Sequence, residues 1–334
     1  MNYNDLAERS LQGLSLDREH CQAVLRCPQN RILELLQYAF RVRERYFGNR
    51  VIIQLLINAK SGLCSEDCAY CSQSATSQAT IDEYPLLDEE KIIKGAFLAK
   101  ASHAKRYCIV TSGFAPTEKD LDHLCRVVRR IKGEVDIEIC NSLGFLSEEA
   151  AKKLSRAGVD RYNHNLNTAE RFYPRICTTH SYANRIETLR NARAAGLKLC
   201  CGALFGMGES EDDIIDLMFA LQEVGASSIP VNFLNPIPGT ALANVNYLTP
   251  IKCLSILCLM RFLNPGTEIR IAGGREFHLR SLQPLGLYPA NSIFASGYLT
   301  TEGQTPEEAH QMIADMGFQV EKEAVQKVKA SIPR

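Results

Sequence analysis

From residue 51 onward, short runs of β-branched residues alternate with longer stretches of helical apolar spacing. Eight runs are strand candidates: 51–58, 107–112, 135–140, 159–165, 197–204, 228–234, 268–272 and 291–296. Strands that alternate with helices predict βα units and a parallel sheet. Eight such units over about 250 residues predict a closed (β/α)8 barrel of the TIM type. An open doubly wound sheet is the alternative, because periodicity does not reveal whether a sheet closes.

The segments on either side of this pattern are predicted to be helical. Ile32, Leu35, Leu36 and Ala39 recur at helical spacing and form one apolar face. We therefore expect a helical lead-in over residues 1–48, a barrel over residues 49–305, and a C-terminal helix and tail over residues 306–334.

Composition excludes several classes of protein. The formal net charge is zero, so no overall field attracts nucleic acid or an anionic membrane. The N-terminal stretch lacks a basic segment followed by an apolar one, and the most apolar helix candidate is too short for a bilayer. We expect a cytoplasmic protein without nucleic-acid or membrane partners. In a reducing compartment, 13 cysteines favour metal or redox chemistry over disulfides.

Three cysteines follow the first strand candidate at spacings of four and three. Cys64, Cys68 and Cys71 lie in a segment rich in Ser, Glu and Asp, which is poorly explained as core. Thiolates at such spacing bind zinc or an iron–sulfur cluster. Structural zinc needs a fourth ligand nearby, and none is present, so a four-iron cluster with one open iron is favoured. Zinc is the second interpretation, and incidental buried cysteines are the third.

The alternation of side chains along the strands points several polar or thiol-bearing residues into the barrel. Alternate residues of a barrel strand face the interior, and the set predicted to do so is Asp136, Glu138, Cys140, Lys198, Cys200, Gly202, Asn232 and Arg270. A structural barrel fills its interior with branched aliphatic residues, and unpaired buried charge is costly. The interior is therefore predicted to be a functional site.

Four residues from different strands form a second candidate ligand set: Cys108, Cys140, Cys200 and Arg270. Three inward thiols favour a metal or a cluster, whereas an arginine is an unusual member of a metal site. The alternative is three core cysteines with Arg270 paired to Asp136 or Glu138. Spacing alone leaves both open.

The cysteine segment resembles a known family. CxxxCxxC with Tyr70 before the third cysteine is similar to the radical S-adenosylmethionine superfamily. Residues 58–74, and also 106–113, 198–202 and 269–276, resemble the biotin synthase family. The resemblance implies that a 5′-deoxyadenosyl radical removes hydrogen from C9 and C6 of dethiobiotin and that sulfur is inserted there, the last step of biotin biosynthesis. Cys64, Cys68 and Cys71 are then ligands of a 4Fe–4S cluster whose open iron binds S-adenosylmethionine.

The resemblance also resolves the second set. It implies that Cys108, Cys140, Cys200 and Arg270 hold an auxiliary iron–sulfur cluster that is the sulfur source. A 2Fe–2S cluster is expected, and a four-iron type is the alternative because Cys201 adjoins Cys200.

Further positions match small-molecule contacts of the family. Expected cofactor contacts are Tyr70, Asn167, Arg185, Gly206 and Glu209, and expected substrate contacts are Asn163, Asn165 and Asn232. Asn167 departs from the pattern, since well-known members carry Asp there.

The resemblance further implies a homodimer and a one-electron donor such as flavodoxin or ferredoxin. Two other functions are the alternatives to biotin synthesis. They are a radical enzyme acting on another substrate and a non-catalytic zinc or redox protein.

Overall fold

Parallel strands close into a barrel in the computed structural model, which describes residues 2–295, 297–301 and 303–321. Neighbouring strands of the barrel pair in parallel, and Ile52 of the first strand pairs with Ser292 of the ninth, which closes the sheet. The closed barrel predicted from sequence is confirmed, and the open sheet is wrong. The strands are β1 (Arg50–Lys60), β2 (Arg106–Thr111), β3 (Glu138–Ser142), β4 (Arg161–Asn163), β5 (Lys198–Cys200), β6 (Ala203–Phe205), β7 (Ser228–Phe233), β8 (Glu268–Ile271), β9 (Ser292–Phe294) and β10 (Gln319–Val320).

The fifth and sixth strands share one position in the barrel. β5 and β6 are consecutive in the chain, and both pair with β7. Gly202 lies between them, where an added Cβ would come 1.9 Å from the carbonyl oxygen of Pro230. A glycine is needed there because the two backbones approach so closely. Of the ten strands in the described residues, nine thus fill eight barrel positions, and β10 lies outside the barrel beside β1.

Helices surround the barrel and begin at the side-chain caps expected from the sequence. Thr117, Ser147 and Ser210 each accept a hydrogen bond from the backbone three residues later, which satisfies an otherwise free N–H of the first turn. The α-helices are α1 (Tyr3–Leu11), α2 (Arg18–Leu25), α3 (Ile32–Phe47), α4 (Glu89–Ala101), α5 (Glu118–Glu134), α6 (Glu148–Ala157), α7 (Tyr182–Ala194), α8 (Glu211–Val224), α9 (Pro250–Leu263), α10 (Arg275–Leu279) and α11 (Pro306–Asp315).

The first three helices pack outside the barrel against α8 and α9. The Ser10 hydroxyl donates to the carbonyl oxygen of Phe262 at 2.7 Å, and Arg18 pairs with Asp212 at 3.0 Å. At the other end of the chain, α11 occupies the start of the predicted C-terminal helix, while residues 322–334 of that prediction lie outside the described residues. Within the described part of the chain, no helix has the length and apolar character needed to cross a bilayer.

Two residues predicted to face the barrel interior do not. β3 begins at Glu138 rather than at residue 135, because Val135 still closes the C-terminus of α5 by donating to Ile131. Asp136 therefore precedes the strand, and its side chain is 90% exposed. Lys198 is exposed at the N-terminal rim, where β5 starts. The inward prediction was wrong for both of these charges.

Candidate functional site

A cavity of about 320 Å³ opens where the strands end. The carboxyl-terminal ends of barrel strands, with the loops that follow them, are where TIM-barrel enzymes place their active sites. The wall combines all three cysteines of the first predicted set, and Cys108 and Arg270 of the second, with most of the predicted polar contacts. The predicted residues on the wall are Cys64, Cys68, Tyr70, Cys71, Cys108, Asn163, Asn165, Asn167, Arg185, Asn232 and Arg270.

The three-cysteine loop follows β1 and is fixed to the segment that precedes α7. The Asp67 carboxylate accepts hydrogen bonds from the backbone N–H groups of Thr178 and Thr179 at 2.9 and 3.2 Å. Ala69 donates to the carbonyl oxygen of Ile176 at 2.8 Å. Cys68 is buried, while Cys64 and Cys71 are half-buried. Three thiols held on one cavity wall suit a cluster with three protein ligands.

The second thiol set lies deeper in the barrel. Cys108 of β2 is in register with Cys140 of β3, and Cys200 of β5 completes a buried group. Contact with Cys108 raises the pKa of Cys140, and contact with Cys140 raises the pKa of Cys200 well above its ordinary value. Arg270 Nη1 lies 3.7 Å from Cys200 Sγ. These contacts bring the four predicted ligands together.

Arg270 has one nitrogen that the protein leaves without a partner. The side chain is buried, and its Nε makes no hydrogen bond to any described residue. Orphaned buried donors are rare and call for a bound group. Three buried thiols beside this nitrogen fit an iron–sulfur cluster, because thiolates are its usual protein ligands.

A buried carboxylate holds the rest of Arg270. Glu268 Oε1 lies 3.2 Å from Arg270 Nη2, and Glu268 Oε2 lies 2.5 Å from Arg106 Nη1. Burial acts to raise the pKa of Glu268, but the guanidinium groups of Arg106, Arg270 and Arg161 outweigh it and lower the pKa to about 2. The partner of Arg270 is thus Glu268. The alternative partners were Asp136, which is exposed, and Glu138, which pairs with Arg106 and Arg161.

The predicted substrate asparagines connect the deeper thiols to the cavity. Asn163 Nδ2 donates to Cys200 Sγ at 3.2 Å and to Asn165 Oδ1 at 3.2 Å. Asn165 Oδ1 also accepts from the Gly202 N–H at 3.0 Å. The Asn165 Nδ2 group has no partner among the described residues and is available to a ligand. An amide suits a ureido ring, which combines N–H donors with a carbonyl acceptor.

Asn232 ties three neighbouring segments together. Its Nδ2 donates to the carbonyl oxygen of Ala203 at 3.0 Å, and its Oδ1 accepts from the Gly273 N–H at 2.9 Å. One N–H and one lone pair of the amide stay available on the cavity wall. This side chain thus has a structural task beside any contact with substrate.

The predicted cofactor residues fall into two groups. Tyr70, Asn167 and Arg185 line the cavity. Asn167 Nδ2 donates to Tyr70 Oη at 2.6 Å, and its φ of 68° is one that Asn tolerates. Gly206 and Glu209 lie outside the wall, where Glu209 accepts from the N–H groups of Gly206 and Met207, each at 2.7 Å. Glu209 fixes this turn, and burial raises its pKa.

Arg185 is buried in the cavity wall and well supported. It contacts Tyr173 Oη, and its Nη1 donates to the carbonyl oxygen of Asn165 at 3.0 Å. Burial acts to lower its pKa, but the neighbouring tyrosines and Cys68 outweigh burial and raise it. A fixed guanidinium in a cavity is suited to bind a carboxylate.

Several residues of the site were missed by sequence reasoning. Glu268 and Gln54 were missed although Glu268 shares the inward parity of Arg270, so the same alternation could have indicated it. Cys177 and His180 lie beside Cys68, but they belong to a loop without periodicity. Cys201 packs in the layer between barrel and helices. His164, given no role from sequence, is buried, and burial lowers its pKa well below the ordinary value.

Comparisons with known proteins identify the family. The model of the Radical SAM superfamily matches residues 60–221, and that of the Biotin and Thiamin Synthesis associated domain matches residues 230–319. A biotin synthase from Bacillus subtilis (strain 168) is 48% identical over 328 residues, which is 98% of this chain and 97% of the relative. A biotin synthase from Bacillus cytotoxicus is 47% identical over 321 residues, covering 96% of this chain and 97% of the relative.

Solved structures share the fold at much lower identity. A methylornithine synthase superposes with a TM-score of 0.85 at 19% identity, covering 95% of this chain and 97% of that one. The FeFe-hydrogenase maturase HydG from Carboxydothermus hydrogenoformans gives a TM-score of 0.79 at 19% identity, covering 95% of this chain and 78% of the other. These likenesses support the barrel, and the near full-length relatives establish the family. The chain belongs to the biotin synthase family of radical S-adenosylmethionine enzymes.

Proposed function

We propose that two sets of side chains in this barrel hold the two iron–sulfur clusters of a biotin-forming enzyme. The first set is Cys64, Cys68 and Cys71, and the second is Cys108, Cys140, Cys200 and Arg270. The observation that carries the proposal is that Cys108 and Arg270 share one cavity wall with all three loop cysteines. A radical formed at one end of such a cavity and a sulfur source in its wall can act on the same substrate.

The family fixes the reaction. The enzyme inserts sulfur between C6 and C9 of dethiobiotin and uses S-adenosylmethionine. When bound, the four-iron cluster supplies the electron that cleaves S-adenosylmethionine to methionine and a 5′-deoxyadenosyl radical, and the auxiliary cluster supplies the sulfur. The chain's own residues bind, orient and enclose the reactants.

Individual side chains are suited to distinct parts of this task. Arg185 is placed to bind the carboxylate of the methionine moiety, since its guanidinium is buried and charged at the wall. The free Nδ2 of Asn165 is suited to the ureido carbonyl of dethiobiotin. Asn163 contacts both Asn165 and Cys200, so it can hold the substrate amide beside the sulfur source. Orientation of this kind lowers the entropic part of the barrier.

Asn167 takes the place of a carboxylate at the cofactor ribose. Its amide is neutral, and its Nδ2 donates to Tyr70 Oη at 2.6 Å. The Oδ1 atom is left to accept from a ribose hydroxyl, which an Asp carboxylate would also do. The substitution therefore keeps an acceptor while removing a charge.

The electron donor and the assembly are part of the same proposal. A one-electron donor such as flavodoxin or ferredoxin would approach near Leu63, which is 68% exposed beside the half-buried Cys64.

A homodimer and a two-iron auxiliary cluster follow the family. A division into a helical lead-in (1–48), a barrel (49–305) and a C-terminal segment (306–334) is likewise proposed. A cytoplasmic location suits the 13 cysteines, all of which are free thiols.

The proposal is tested by product analysis of Cys68→Ala under anaerobic reduction with S-adenosylmethionine and dethiobiotin. The wild-type protein should form 5′-deoxyadenosine and biotin, with about two molecules of the nucleoside for each biotin because two C–H bonds are opened. The variant should form neither product. Cleavage of S-adenosylmethionine that persists in the variant would remove Cys68 from the cluster. Replacing Gln78, an exposed residue shortly after the same loop, by Ala serves as the control.

A further inference from the structure

A second set of metal-binding side chains overlaps the three-cysteine loop. Within the described residues, Cys68, Cys177 and His180 place their ligand atoms within 4.8 Å of one another, and all three residues are buried. Cys177 and His180 lie outside the three-cysteine motif and take no part in the reaction described above. We propose that, in the cluster-free chain, these three residues bind a single thiophilic divalent cation of the Zn²⁺ type.

The spacing of the ligand atoms matches a tetrahedral ion. Metal–sulfur distances of about 2.3 Å and tetrahedral angles place two sulfurs about 3.8 Å apart. The Sγ atoms of Cys68 and Cys177 are 3.8 Å apart. A metal–nitrogen distance of about 2.0 Å gives a sulfur–nitrogen separation of about 3.5 Å. Cys177 Sγ lies 3.5 Å from His180 Nε2. Both separations meet the requirement with no rearrangement of the thiols. Because Cys177 Sγ also lies 3.3 Å from His180 Nδ1, the imidazole must turn to aim the lone pair of Nε2 at the ion.

His180 is oriented as metal-binding histidines usually are. Its Nδ1 lies 2.7 Å from Glu66 Oε2, and that carboxylate also accepts from Thr179 Oγ1 at 2.7 Å. A carboxylate on the far ring nitrogen fixes the tautomer and leaves the other nitrogen for the ion. In the metal-free chain that nitrogen, Nε2, accepts from Arg185 Nη2 at 3.0 Å. The ion would displace this one contact, while Arg185 keeps its bonds to Tyr173 and Asn165.

Charge and access also suit a dication. Two thiolates and a neutral imidazole balance its charge, and buried charge is tolerated when it is neutralised in this way. Cys68 and His180 line the cavity wall, so an ion can enter from the cavity and keep a water molecule in its fourth position. Asp67 Oδ1 accepts from the Cys177 thiol at 3.1 Å in the metal-free chain. It loses this bond when the thiol ionises, while its contacts with Thr178 and Thr179 still hold the loop.

The ion and the four-iron cluster exclude each other, because one Cys68 thiolate cannot serve both. This exclusion rests on the proposed assignment of Cys68 to the cluster, whereas the ion site itself does not. The site thus defines a metal-loaded form of the chain that is closed to cluster assembly.

The test uses cluster-free, reduced full-length protein titrated anaerobically with Zn²⁺ against a chromophoric chelator. Cys177→Ala and His180→Ala should each weaken Zn²⁺ binding by at least about 100-fold, since they remove ligands and loss of even an outer partner costs about 10- to 100-fold. Cys64→Ala should leave the affinity within about threefold, because Cys64 is not a ligand here. Cys125→Ala, a buried cysteine of α5, is the control for nonspecific thiol loss.

A second measurement needs no variant. X-ray absorption at the zinc edge of the wild-type protein should show two sulfurs near 2.3 Å and one nitrogen with one oxygen near 2.0 Å. Three sulfurs, or an affinity lost with Cys64→Ala and kept with Cys177→Ala, would place the ion in the three-cysteine loop and overturn the proposal.

The exclusion is tested separately, by iron incorporation. Stoichiometric Zn²⁺ should block four-iron assembly in the wild-type protein and fail to do so in Cys177→Ala. If Zn²⁺ stays bound as described while four-iron assembly proceeds, the ion site stands and the assignment of Cys68 to the cluster falls.

Discussion

The Arg270 guanidinium is held 3.2 Å from the Glu268 carboxylate, two residues away on the same strand. Ser228 Oγ accepts a second bond from Arg270 Nη2 at 2.7 Å. The carboxylate is shared with Arg106, so one buried anion orients two cations beneath the thiols. In this arrangement Arg270 Nη1 lies near Cys200, and its Nε has no partner among the residues that the structure describes. This is how an arginine can face a cluster.

We predict that Glu268→Gln flattens the acid dependence of stability. The folded-state pKa of Glu268 is lowered to about 2, so its stabilisation is complete above the ordinary carboxyl pKa and is lost as pH falls towards 2. A carboxylate with such a lowered pKa contributes on the order of 3 kcal/mol to the free energy of unfolding at neutral pH. Denaturant unfolding at pH 7, 4 and 3 measures it. Glu149→Gln, at an exposed site on α6, is the control, and identical pH profiles for both variants would contradict the assignment.

Substitution of Cys200 and of its neighbour Cys201 gives a matched pair of variants that tests which cysteine is the ligand of the auxiliary cluster. Cys200 lies inside the barrel beside Asn163 and Arg270, whereas Cys201 packs towards the helices. Cys200→Ser should lower biotin formation by at least about tenfold, as expected for loss of a metal ligand, while 5′-deoxyadenosine is still formed. Cys201→Ser should behave like the wild-type protein. A reversed outcome, measured by mass spectrometry of both products, would transfer the ligand role to Cys201.

The free amide nitrogen of Asn165 is expected to contribute to substrate affinity. Asn165→Ala removes a hydrogen bond of about 1.4 kcal/mol, so the Kd for dethiobiotin should rise about tenfold. Calorimetric titration measures this change. Asn246→Ala, at an exposed position, should leave the Kd unchanged. An unaltered Kd in Asn165→Ala would remove this residue from the substrate site.

Glu209 should act on the cofactor through the turn that it holds. It bonds the N–H groups of Gly206 and Met207 but lies off the cavity wall. Glu209→Ala removes two such bonds, so the Kd for S-adenosylmethionine should rise about tenfold or more. The Kd for dethiobiotin should stay within twofold to threefold of the wild-type value, about the spread of such measurements. Equal weakening of both ligands would indicate general loss of structure instead.

The sequence was most informative where local pattern decides the outcome. Eight β-branched runs predicted the barrel, and alternation correctly placed Cys140, Cys200 and Arg270 inside it. The same alternation failed at Asp136, because a period of two does not reveal where a strand begins and α5 continues to Val135. Strand ends are set by neighbouring helix caps and by pairing, which local pattern does not contain.

The contacts around Cys68 could not be read from the sequence. Cys177 and His180 are more than one hundred residues away and meet it only because Asp67 and Ala69 fix the cysteine loop to the segment before α7. Part of the surroundings of Glu268, in contrast, could be read from the sequence. Its inward parity was readable, and so was Arg270 two residues away on the same strand. Its other arginine partner, Arg106, comes from β2, which the pattern of a single strand does not identify.

The central claim is that two thiol sets of one barrel hold two clusters. Mössbauer spectroscopy of anaerobically reconstituted, iron-57-labelled protein tests it most directly. The account predicts one four-iron and one two-iron species, with only the first lost in Cys68→Ala and only the second lost in Cys108→Ala. A single four-iron species in the wild-type protein, unchanged by Cys108→Ala, would contradict the account.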